Sequence, residues 1–543
     1  MNTKIWAAVL VISLLVSVSA SAQIEPVAPG KFDPSWESLA QYKVPEWFRD
    51  AKFGIWAHWG PQCQPEQGDW FARFMYVEGT PEYKWFVSHY GPQSKFGFKD
   101  ICHDWKAQKW DPERLVALYK RAGAKYFFAM GNHHDNMDLW DSKYQPWNSV
   151  NVGPKKDIIA GWAKAARNNG LYFGVSIHAA HAWLWYETAQ RADKTGPYAG
   201  IPYDGKLTKA DGKGTWWEGL DPQDLYAQNH SPNRYSEDIN SIHRQWGWSE
   251  TEGITMPDEA YNFKFYNRTM DLINKYKPDL LYFDDTALPL YPESDAGLSI
   301  AAHYYNTSAR DHNGVVNNVI FGKILTPEQK KALVWDVEMG APDKIQELPW
   351  QTCTCIGNWH YKRSIYDNKA YKSAKTVVRM LVDVVSKNGN LLLNIPVRGD
   401  GTIDEQEEAI VNDIAKWMDV NKQGIYGTRP WKIFGEGPVA EQSNPINAQG
   451  FNEGMYKQFS AKEIRFTTKG KAIYAFVLGW PAEKTVTLKS FAKDSPIFDG
   501  TISSVEILGV GKAIYSRTAE GMVVQVPVTK PNPISFTIKI TTL

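Results

Sequence analysis

Residues 277–285 read Lys-Pro-Asp-Leu-Leu-Tyr-Phe-Asp-Asp, and the organisation of the chain is deduced from this stretch. Pro278 ends the helical pattern of residues 261–276, because proline lacks the N–H that a helix interior needs. Leu280–Phe283 is a continuous apolar run, typical of a parallel strand covered on both faces. Asp284 and Asp285 follow it, and they either cap the next turn or stand where α/β barrels carry their chemistry.

Seven other segments have strand patterns, and helical patterns separate many of them. The predicted strands are Phe53–Trp59, Lys125–Met130, Tyr172–His178, Val315–Phe321, Leu333–Glu338, Thr352–Ile356 and Leu391–Ile395. The predicted helices include Glu113–Ala122, with Asp111 as its cap, Lys155–Asn169, Lys372–Ser386 and Glu405–Asn421. Eight strands alternating with helices place the chain in the α/β class and predict a (β/α)8-like barrel.

Polar residues stand at the C-terminal ends of several predicted strands. They are His58, His133, His134, His178, Asp284 and Glu338. A single histidine beside aromatic strands is more often a hydrogen-bonded structural residue than a functional one. Strand ends converge on one face of a barrel, however, so four histidines in this topological position favour a shared site.

The pattern changes after Trp431, where short alternating runs separated by turn residues replace the βα units. The runs are Glu463–Thr468, Ala472–Leu478, Thr485–Leu488, Val505–Leu508, Met522–Val526 and Ile534–Ile540. No helical pattern intervenes, so an all-β sandwich is expected. The predicted domains are residues 23–430 for the barrel and 431–543 for the sandwich.

The N-terminus has the pattern of a secretory signal peptide. Lys4 gives a positive start, residues 5–18 are mostly apolar, and Ala20-Ser21-Ala22 supplies a small-residue cleavage pattern. We therefore expect cleavage after Ala22, which makes residues 1–22 the signal peptide and the mature protein secreted or periplasmic. The apolar run is short for a membrane span and no other long one is present, so no membrane span is expected.

Composition narrows the class of protein. The formal net charge is zero, which argues against a nucleic-acid partner. The chain has 24 Trp, and aromatic residues make up 14% of it, which fits carbohydrate binding but also ordinary cores and interfaces. Cys63 and Cys102 could form a disulfide in an oxidising compartment.

Two carboxylates on different strand ends suit glycoside hydrolysis, in which one attacks the anomeric carbon and the other protonates the departing oxygen. The competing use of His58, His133, His134 and Asp135 is a metal site. Successive side chains of a strand point to opposite faces, so we expect no metal there. The sequence lacks a Gly-x-Ser-x-Gly elbow and a phosphate-binding glycine motif, so neither a serine hydrolase nor a nucleotide cofactor is expected.

Several long motifs resemble those of the α-L-fucosidases of glycoside hydrolase family 29. The first is Trp47–Gly60, which reads Trp-Phe-Arg-Asp-Ala-Lys-Phe-Gly-Ile-Trp-Ala-His-Trp-Gly. The others are His133–Asp135 with Leu139–Lys143, Asn148–Asp157, Val384–Ile395 and Ile425–Trp431. The resemblance is strong over residues 40–435 and general in the predicted sandwich.

The resemblance implies a retaining mechanism with Asp284 as the nucleophile, whereas Asp285 should point elsewhere. The sugar-binding residues that it implies are His58, His133, His134, Asp69, Trp70 and Trp359. His178 matches no motif closely, and we add it to the substrate-binding set because it ends the third strand.

The general acid has several candidates in the sequence, and one cation common in the family is absent. Glu338 is the best match for the acid, with Asp336, Asp343 and Glu347 as alternatives; Gln351 stands where a glutamate is often found. Many members carry an arginine on the strand after the nucleophile, but Val319 follows Asn317-Asn318 here. We therefore expect one charged sugar contact to be missing.

The expected function is a secreted retaining exo-glycosidase that removes terminal α-L-fucose from an oligosaccharide or glycoconjugate. The alternatives are an α-L-galactosidase acting on algal-type galactans and a non-catalytic carbohydrate-binding barrel. The segment 183–259 contains Trp183, Trp185, Trp216, Trp217 and Tyr226, which either shape a subsite for the rest of the glycan or form a satellite core.

Overall fold

The computed structural model describes residues 24–236, 247–248, 253–446 and 450–543, so the predicted signal peptide lies outside the described residues. The first part of the chain is a closed barrel of eight parallel strands that neighbour each other in chain order. They are β1 (Phe53–Ala57), β2 (Tyr126–Asn132), β3 (Tyr172–Ile177), β4 (Leu280–Phe283), β5 (Val319–Gly322), β6 (Val334–Glu338), β7 (Trp350–Cys355) and β8 (Gly389–Asn394). The predicted barrel is confirmed.

The barrel interior is filled by large rings. Trp56, Phe128, Tyr282 and Phe321 are buried inside it, as expected for a packed barrel core rather than a pore. Strands β1 and β8 close the barrel through pairs such as Gly54 with Leu392. A Cβ at Gly54 would overlap the ring of Tyr126, so a glycine here leaves room for an aromatic layer.

Helices surround the strands. The longer ones are Pro81–Tyr90, Phe98–Asp104, Pro112–Arg121, Ile158–Asn168, Glu259–Tyr276, Ala296–Asp311, Ala374–Ser386 and Glu405–Asn421. Shorter ones are Trp36–Leu39, Glu46–Ala51, Phe71–Phe74, Ala182–Trp185, Gln223–Tyr226, Gln329–Ala332 and Arg363–Asp367.

Side-chain caps set the starts of two predicted helices. Asp111 accepts a hydrogen bond from the backbone N–H of Arg114 at 3.0 Å, as predicted. The helix predicted to start at Lys155 starts at Ile158 instead, because Asp157 is its cap and accepts from the N–H of Ala160 at 2.8 Å.

The fifth strand is shorter than predicted at its start. Residues 315–318 form a loop, in which Val315 is exposed and the N–H of Asn317 donates to the Ser308 hydroxyl. These residues make hydrogen bonds to the preceding helix rather than to a neighbouring strand, so β5 begins only at Val319. It ends at Gly322, and Lys323 therefore stands at the C-terminal mouth of the barrel.

The second part of the chain consists of two antiparallel sheets, as predicted. One has the order β14-β13-β17-β11-β10-β9 and the other the order β12-β16-β15. The strands are β9 (Arg429–Glu436), β10 (Ile464–Lys469), β11 (Ala472–Val477), β12 (Thr485–Leu488), β13 (Ile502–Ile507), β14 (Gly511–Lys512), β15 (Tyr515–Arg517), β16 (Met522–Gln525) and β17 (Phe536–Thr542). Strand β9 was not predicted, because its residues are mostly half-buried and show no alternation.

A buried ionic cluster joins the two parts. Asp383, in the helix Ala374–Ser386, accepts from Arg465 of β10 at 2.5 Å and from Lys387 at 2.8 Å. The Tyr456 hydroxyl donates to the same carboxylate at 3.2 Å. Burial alone would raise the pKa of Asp383, but the charges of Lys387 and Arg465 outweigh it and lower the pKa.

The four cysteines are buried free thiols, so the structure does not contain the Cys63–Cys102 disulfide. Burial raises the pKa of the Cys63 thiol to about 12, which leaves it protonated and unreactive at neutral pH. Within the described ranges, each helix is either too short or too polar to cross a bilayer.

Candidate active site

A pocket opens at the C-terminal ends of the barrel strands. Its lining residues are Trp56, His58, Asp69, Trp70, His133, His178, Tyr282, Asp284, Lys323, Glu338, Trp359 and Phe451. The structure therefore brings together eight of the nine residues named from the sequence. The ninth, His134, lies directly behind the pocket and contacts Asp284.

Asp284 stands where β4 ends and is held from three sides. Its Oδ1 lies 2.6 Å from Lys323 Nζ, and its Oδ2 lies 3.1 Å from His134 Nε2 and 3.2 Å from His178 Nδ1. Burial alone would raise the pKa of Asp284. The Lys323 charge and the hydrogen bonds from both histidines outweigh burial and hold the pKa well below its ordinary value.

Asp285 points away from the pocket, as predicted. Its carboxylate accepts from the backbone N–H of Thr286 at 2.7 Å and of Leu290 at 3.3 Å, and lies 3.2 Å from His181 Nε2. It is buried and shapes the loop after β4, which is the capping role considered for this pair.

Glu338 shares Lys323 with Asp284. Lys323 Nζ lies 2.6 Å from Glu338 Oε2, the same distance as to Asp284 Oδ1. The two carboxylate oxygens are therefore no farther apart than twice this length, compatible with the spacing of about 5–5.5 Å in retaining glycosidases. The other oxygen of Glu338 accepts from the Trp359 indole N–H at 3.2 Å.

The alternative acids lie elsewhere. Asp336 shares the inward face of β6 with Glu338 but lies deeper, where it accepts from the Gln351 amide at 2.9 Å. Burial raises the pKa of Asp336 to about 7. Asp343 is 3.4 Å from the Ser443 hydroxyl, and Glu347 lies in a separate cleft beside Trp335. Neither belongs to the pocket lining.

His133 is oriented by a buried amide. Gln62 Oε1 accepts from the Ala72 N–H at 3.2 Å, so its NH2 group faces His133 Nδ1 at 2.7 Å. A neutral His133 therefore carries its proton on Nε2, which lies 3.9 Å from Asp69 Oδ1. The protonated nitrogen therefore faces Asp69, another residue of the pocket lining.

The buried histidines of the pocket remain neutral. Burial and the neighbouring imidazoles hold the pKa of His58 and of His133 well below the usual value. Burial lowers the pKa of His178 to about 4 against the opposing charge of Asp284. A neutral imidazole has one donor and one acceptor, which suits the hydroxyl groups of a sugar.

Asp69 and Trp70 also line the pocket. Asp69 Oδ1 lies 2.6 Å from His360 Nδ1, and the Asp69 N–H donates to Asn358 at 2.8 Å. Trp70 adopts a left-handed backbone conformation with φ of 62°, which turns the chain into the helix Phe71–Phe74.

Sequence reasoning missed Lys323, His360 and Phe451. The arginine is absent as expected, but Lys323 directly follows β5 and brings a positive charge to the two carboxylates. The signal was present as a lysine just beyond an apolar run. His360 was visible beside Trp359 in its motif, whereas no local pattern pointed to Phe451.

His133 and His134 do not point to opposite faces of a strand, contrary to the expectation behind the absence of a metal site. Strand β2 ends at Asn132, so the strand pleat does not govern His133 and His134, and their ring centres are only 4.5 Å apart. Two groups have ligand atoms all within 4.8 Å of one another: His58, Asp69, His133 and His360, and His133, His134 and His178. Both groups include residues of the pocket lining.

None of the five aromatic residues singled out in the long insertion lines the pocket. Trp183, Trp185, Trp217 and Tyr226 are buried in the main apolar cluster. Trp216 is 40% exposed but stacks on His103 at 4.3 Å and donates to Asp100 at 2.8 Å. The four buried residues thus belong to the main core, and these five residues form neither a glycan subsite nor a separate satellite core.

Comparisons with known proteins agree with this architecture. The family model "Alpha-L-fucosidase" matches residues 19–423, and "Alpha-L-fucosidase C-terminal domain" matches residues 457–541. Tissue alpha-L-fucosidase of Rattus norvegicus is 25% identical over 97% of this chain and 96% of its own length. Plasma alpha-L-fucosidase of Homo sapiens is 26% identical over 92% and 89%.

A solved structure extends the likeness to three dimensions. The alpha-fucosidase of Thermotoga maritima in complex with fucose superposes with a TM-score of 0.67 and 25% identity, covering 94% of this chain and 100% of that one. The first family model alone spans most of the sequence, and the chain belongs to the α-L-fucosidase family of glycoside hydrolases.

Proposed function

We propose that the protein hydrolyses terminal α-L-fucose from glycans with retention of configuration, through a covalent intermediate on Asp284. The observation that carries this proposal is the single lysine shared by two carboxylates at the mouth of the barrel. The names of the relatives and the fucose complex of the Thermotoga maritima enzyme support the choice of sugar.

In the first step the Asp284 carboxylate attacks the anomeric carbon and the bond to the departing oxygen breaks. Glu338 gives its proton to that oxygen, so the aglycone leaves as an alcohol. Lys323 and two histidines keep Asp284 in the ionised form that a nucleophile needs.

In the second step Glu338, now ionised, takes a proton from water. The resulting hydroxide attacks the anomeric carbon and the ester bond to Asp284 breaks, which restores the Asp284 carboxylate and leaves Glu338 protonated for the next cycle. Two displacements at one carbon give the sugar its original configuration. The Trp359 indole holds one oxygen of Glu338 in place for both steps.

The sugar hydroxyls are bound by His58 and His133 together with Asp69, whereas both ring nitrogens of His178 already contact protein groups, Asp284 and Ser176. All of these residues except Ser176 line the pocket, and His58 Nδ1 is buried without a hydrogen-bond partner among the described residues. An unpaired buried polar atom is costly, so a hydroxyl that bonds to it stabilises the complex. Trp70 and Trp359 cover the apolar faces of the ring.

L-fucose is favoured over L-galactose because the site does not lack a positive charge, and such a lack was one reason to consider L-galactose. The arginine is absent, but Lys323 brings a positive charge to the end of the same strand. We also propose that the protein is exported, since the first 22 residues have the pattern of a cleaved leader. Mass spectrometry of the exported protein would test this by locating a new N-terminus at Gln23.

The decisive experiment is hydrolysis of an aryl α-L-fucoside followed by proton NMR. The first sugar formed should be α-L-fucose, which only later equilibrates with the β form. Initial release of β-L-fucose would contradict the retaining mechanism. Faster turnover of the matching aryl α-L-galactoside would contradict the assignment of the sugar.

A further inference from the structure

Phe451 is an exposed apolar side chain at the mouth of the pocket. It is 50% exposed, and of the large exposed apolar residues in the described part of the chain it alone lines the pocket. Exposed large apolar groups that border a cleft commonly mark a ligand surface. Phe451 comes from the segment that links β9 to β10, far along the chain from the barrel strands.

The backbone around Phe451 is attached to the loop that carries Glu338. Gly450 forms a parallel bridge with Glu338, and the Phe451 N–H donates to the Glu338 carbonyl at 2.8 Å. A Cβ at residue 450 would overlap that carbonyl oxygen, so the close approach depends on glycine. The phenyl ring is thus positioned from the main chain of Glu338 itself.

The residues that follow attach the segment to the same loop and to Lys372. Asn452 accepts from the Ala341 N–H at 2.9 Å and donates to its carbonyl at 3.0 Å. The Glu453 N–H donates to the Met339 carbonyl at 3.1 Å, and its carboxylate lies 2.6 Å from Lys372 Nζ. These contacts keep Phe451 at a φ of 61°, which a bulky residue adopts only where the surroundings enforce it.

We infer that Phe451 is the platform for the sugar to which the terminal residue is linked. This inference rests on the proposed function, in which Glu338 protonates the departing oxygen, so groups beside Glu338 at the pocket mouth lie on the leaving-group side. A half-exposed phenyl ring without a charge suits the C–H face of a neutral pyranose. Trp183, Trp185, Trp217 and Tyr226 of the long insertion cannot serve this purpose, because they are buried.

The test compares two substrates with different leaving groups. α-L-Fucosyl fluoride releases a single atom that cannot reach the ring, whereas a fucosyllactose releases a disaccharide. The fucosyllactose isomer that the wild type hydrolyses fastest serves as the glycan. The measured quantity is the ratio of kcat/KM for the glycan to kcat/KM for the fluoride.

Phe451→Ala should lower this ratio about three- to tenfold, the range expected from loss of one aromatic contact. Phe451→Tyr, which keeps the ring, should stay within about twofold of the wild type. Inhibition by free lactose should weaken in the alanine variant by a similar factor. Ile514→Ala removes another exposed apolar side chain, outside the pocket, and is the matched control.

An unchanged ratio in Phe451→Ala would overturn the inference while leaving the proposed function intact. Equal losses on both substrates with a lower Tm would overturn it too, because the residue would then only support the Glu338 loop. If the wild type hydrolyses neither fucoside, the proposed function and this inference both fall.

Discussion

The ammonium group of Lys323 lies 2.6 Å from Oδ1 of Asp284, inside a pocket where the lysine side chain is almost completely buried. Burial alone would lower the pKa of Lys323, but the charges of Asp284 and Glu338 raise it well above its ordinary value. A permanent positive charge is therefore held against the carboxylate that we assign as nucleophile.

Replacement of this charge should disable the nucleophile. Lys323→Met should lower kcat/KM on an aryl α-L-fucoside at least about 100-fold, the usual loss for one buried electrostatic contact. Without the lysine the pKa of Asp284 rises, so the acidic limb of the pH profile should move to higher pH. Lys331→Met, an exposed lysine, is the control, and an unmoved acidic limb would refute the role of Lys323.

Substitutions of the two neighbouring aspartates should have different effects on activity and stability. Asp284→Ala should lose at least about 10³-fold in kcat, since nothing else can form the intermediate. Azide should restore turnover and give the β-fucosyl azide by a single displacement. Asp285→Asn should keep most of the activity but lower Tm, because it loses buried hydrogen bonds. A dead Asp285 variant beside an active Asp284 variant would reverse the assignment.

Glu338→Ala should affect substrates according to their leaving groups. A 2-chloro-4-nitrophenyl fucoside needs little protonation, so formation of the intermediate should suffer less than for a natural glycan. Azide should now attack the intermediate on Asp284 and give the α-fucosyl azide. Asp343→Asn is the matched control, and a β-azide product from the Glu338 variant would contradict its role.

Stability should fall in mild acid because of His178. Its pKa is about 4 in the folded protein against about 6.5 when unfolded, so the unfolded chain binds an extra proton between these values. The free energy of unfolding should therefore drop as pH falls from about 6.5 to about 4, by up to ~1.4 kcal/mol per pH unit. Urea unfolding of His178→Asn should show a shallower pH dependence, and an identical slope would contradict this account.

The insertion tryptophans should matter for folding rather than for the glycan. Trp185 is fully buried, and Trp185→Ala should cost about 3–5 kcal/mol of stability. Trp216 is partly exposed, so Trp216→Ala should cost about 1 kcal/mol, for the lost stacking and one hydrogen bond. Both are measured by denaturant unfolding. A selective loss on fucosyllactose in Trp216→Ala, with unchanged stability, would instead restore a subsite role.

Strand order, the barrel and the positions of Asp284 and Glu338 could be predicted because each depends on a local pattern. An apolar run followed by a polar residue marks a strand end, and strand ends meet on one face. Lys323 escaped prediction because the fifth strand was placed too early, and a lysine after a strand is usually solvated. Its burial depends on two carboxylates from other strands, and no local pattern reports such a contact.

The position of Phe451 could not be predicted from the sequence, for another reason. It contacts the Glu338 loop through backbone groups, and backbone pairing between distant segments leaves no side-chain signature. The role of the insertion could not be decided from its sequence, because aromatic richness alone cannot separate a ligand surface from a core.

The buried cluster of Asp383, Arg465 and Tyr456 limits how this enzyme can be reshaped by recombination. A barrel exchanged into another scaffold, without its own sandwich, would keep Asp383 and Lys387 but lose the arginine and tyrosine that complete the cluster. Opening one side of such a cluster costs several kcal/mol, comparable to the whole stability margin of a typical domain. The two parts are therefore expected to be inherited together rather than exchanged as independent modules.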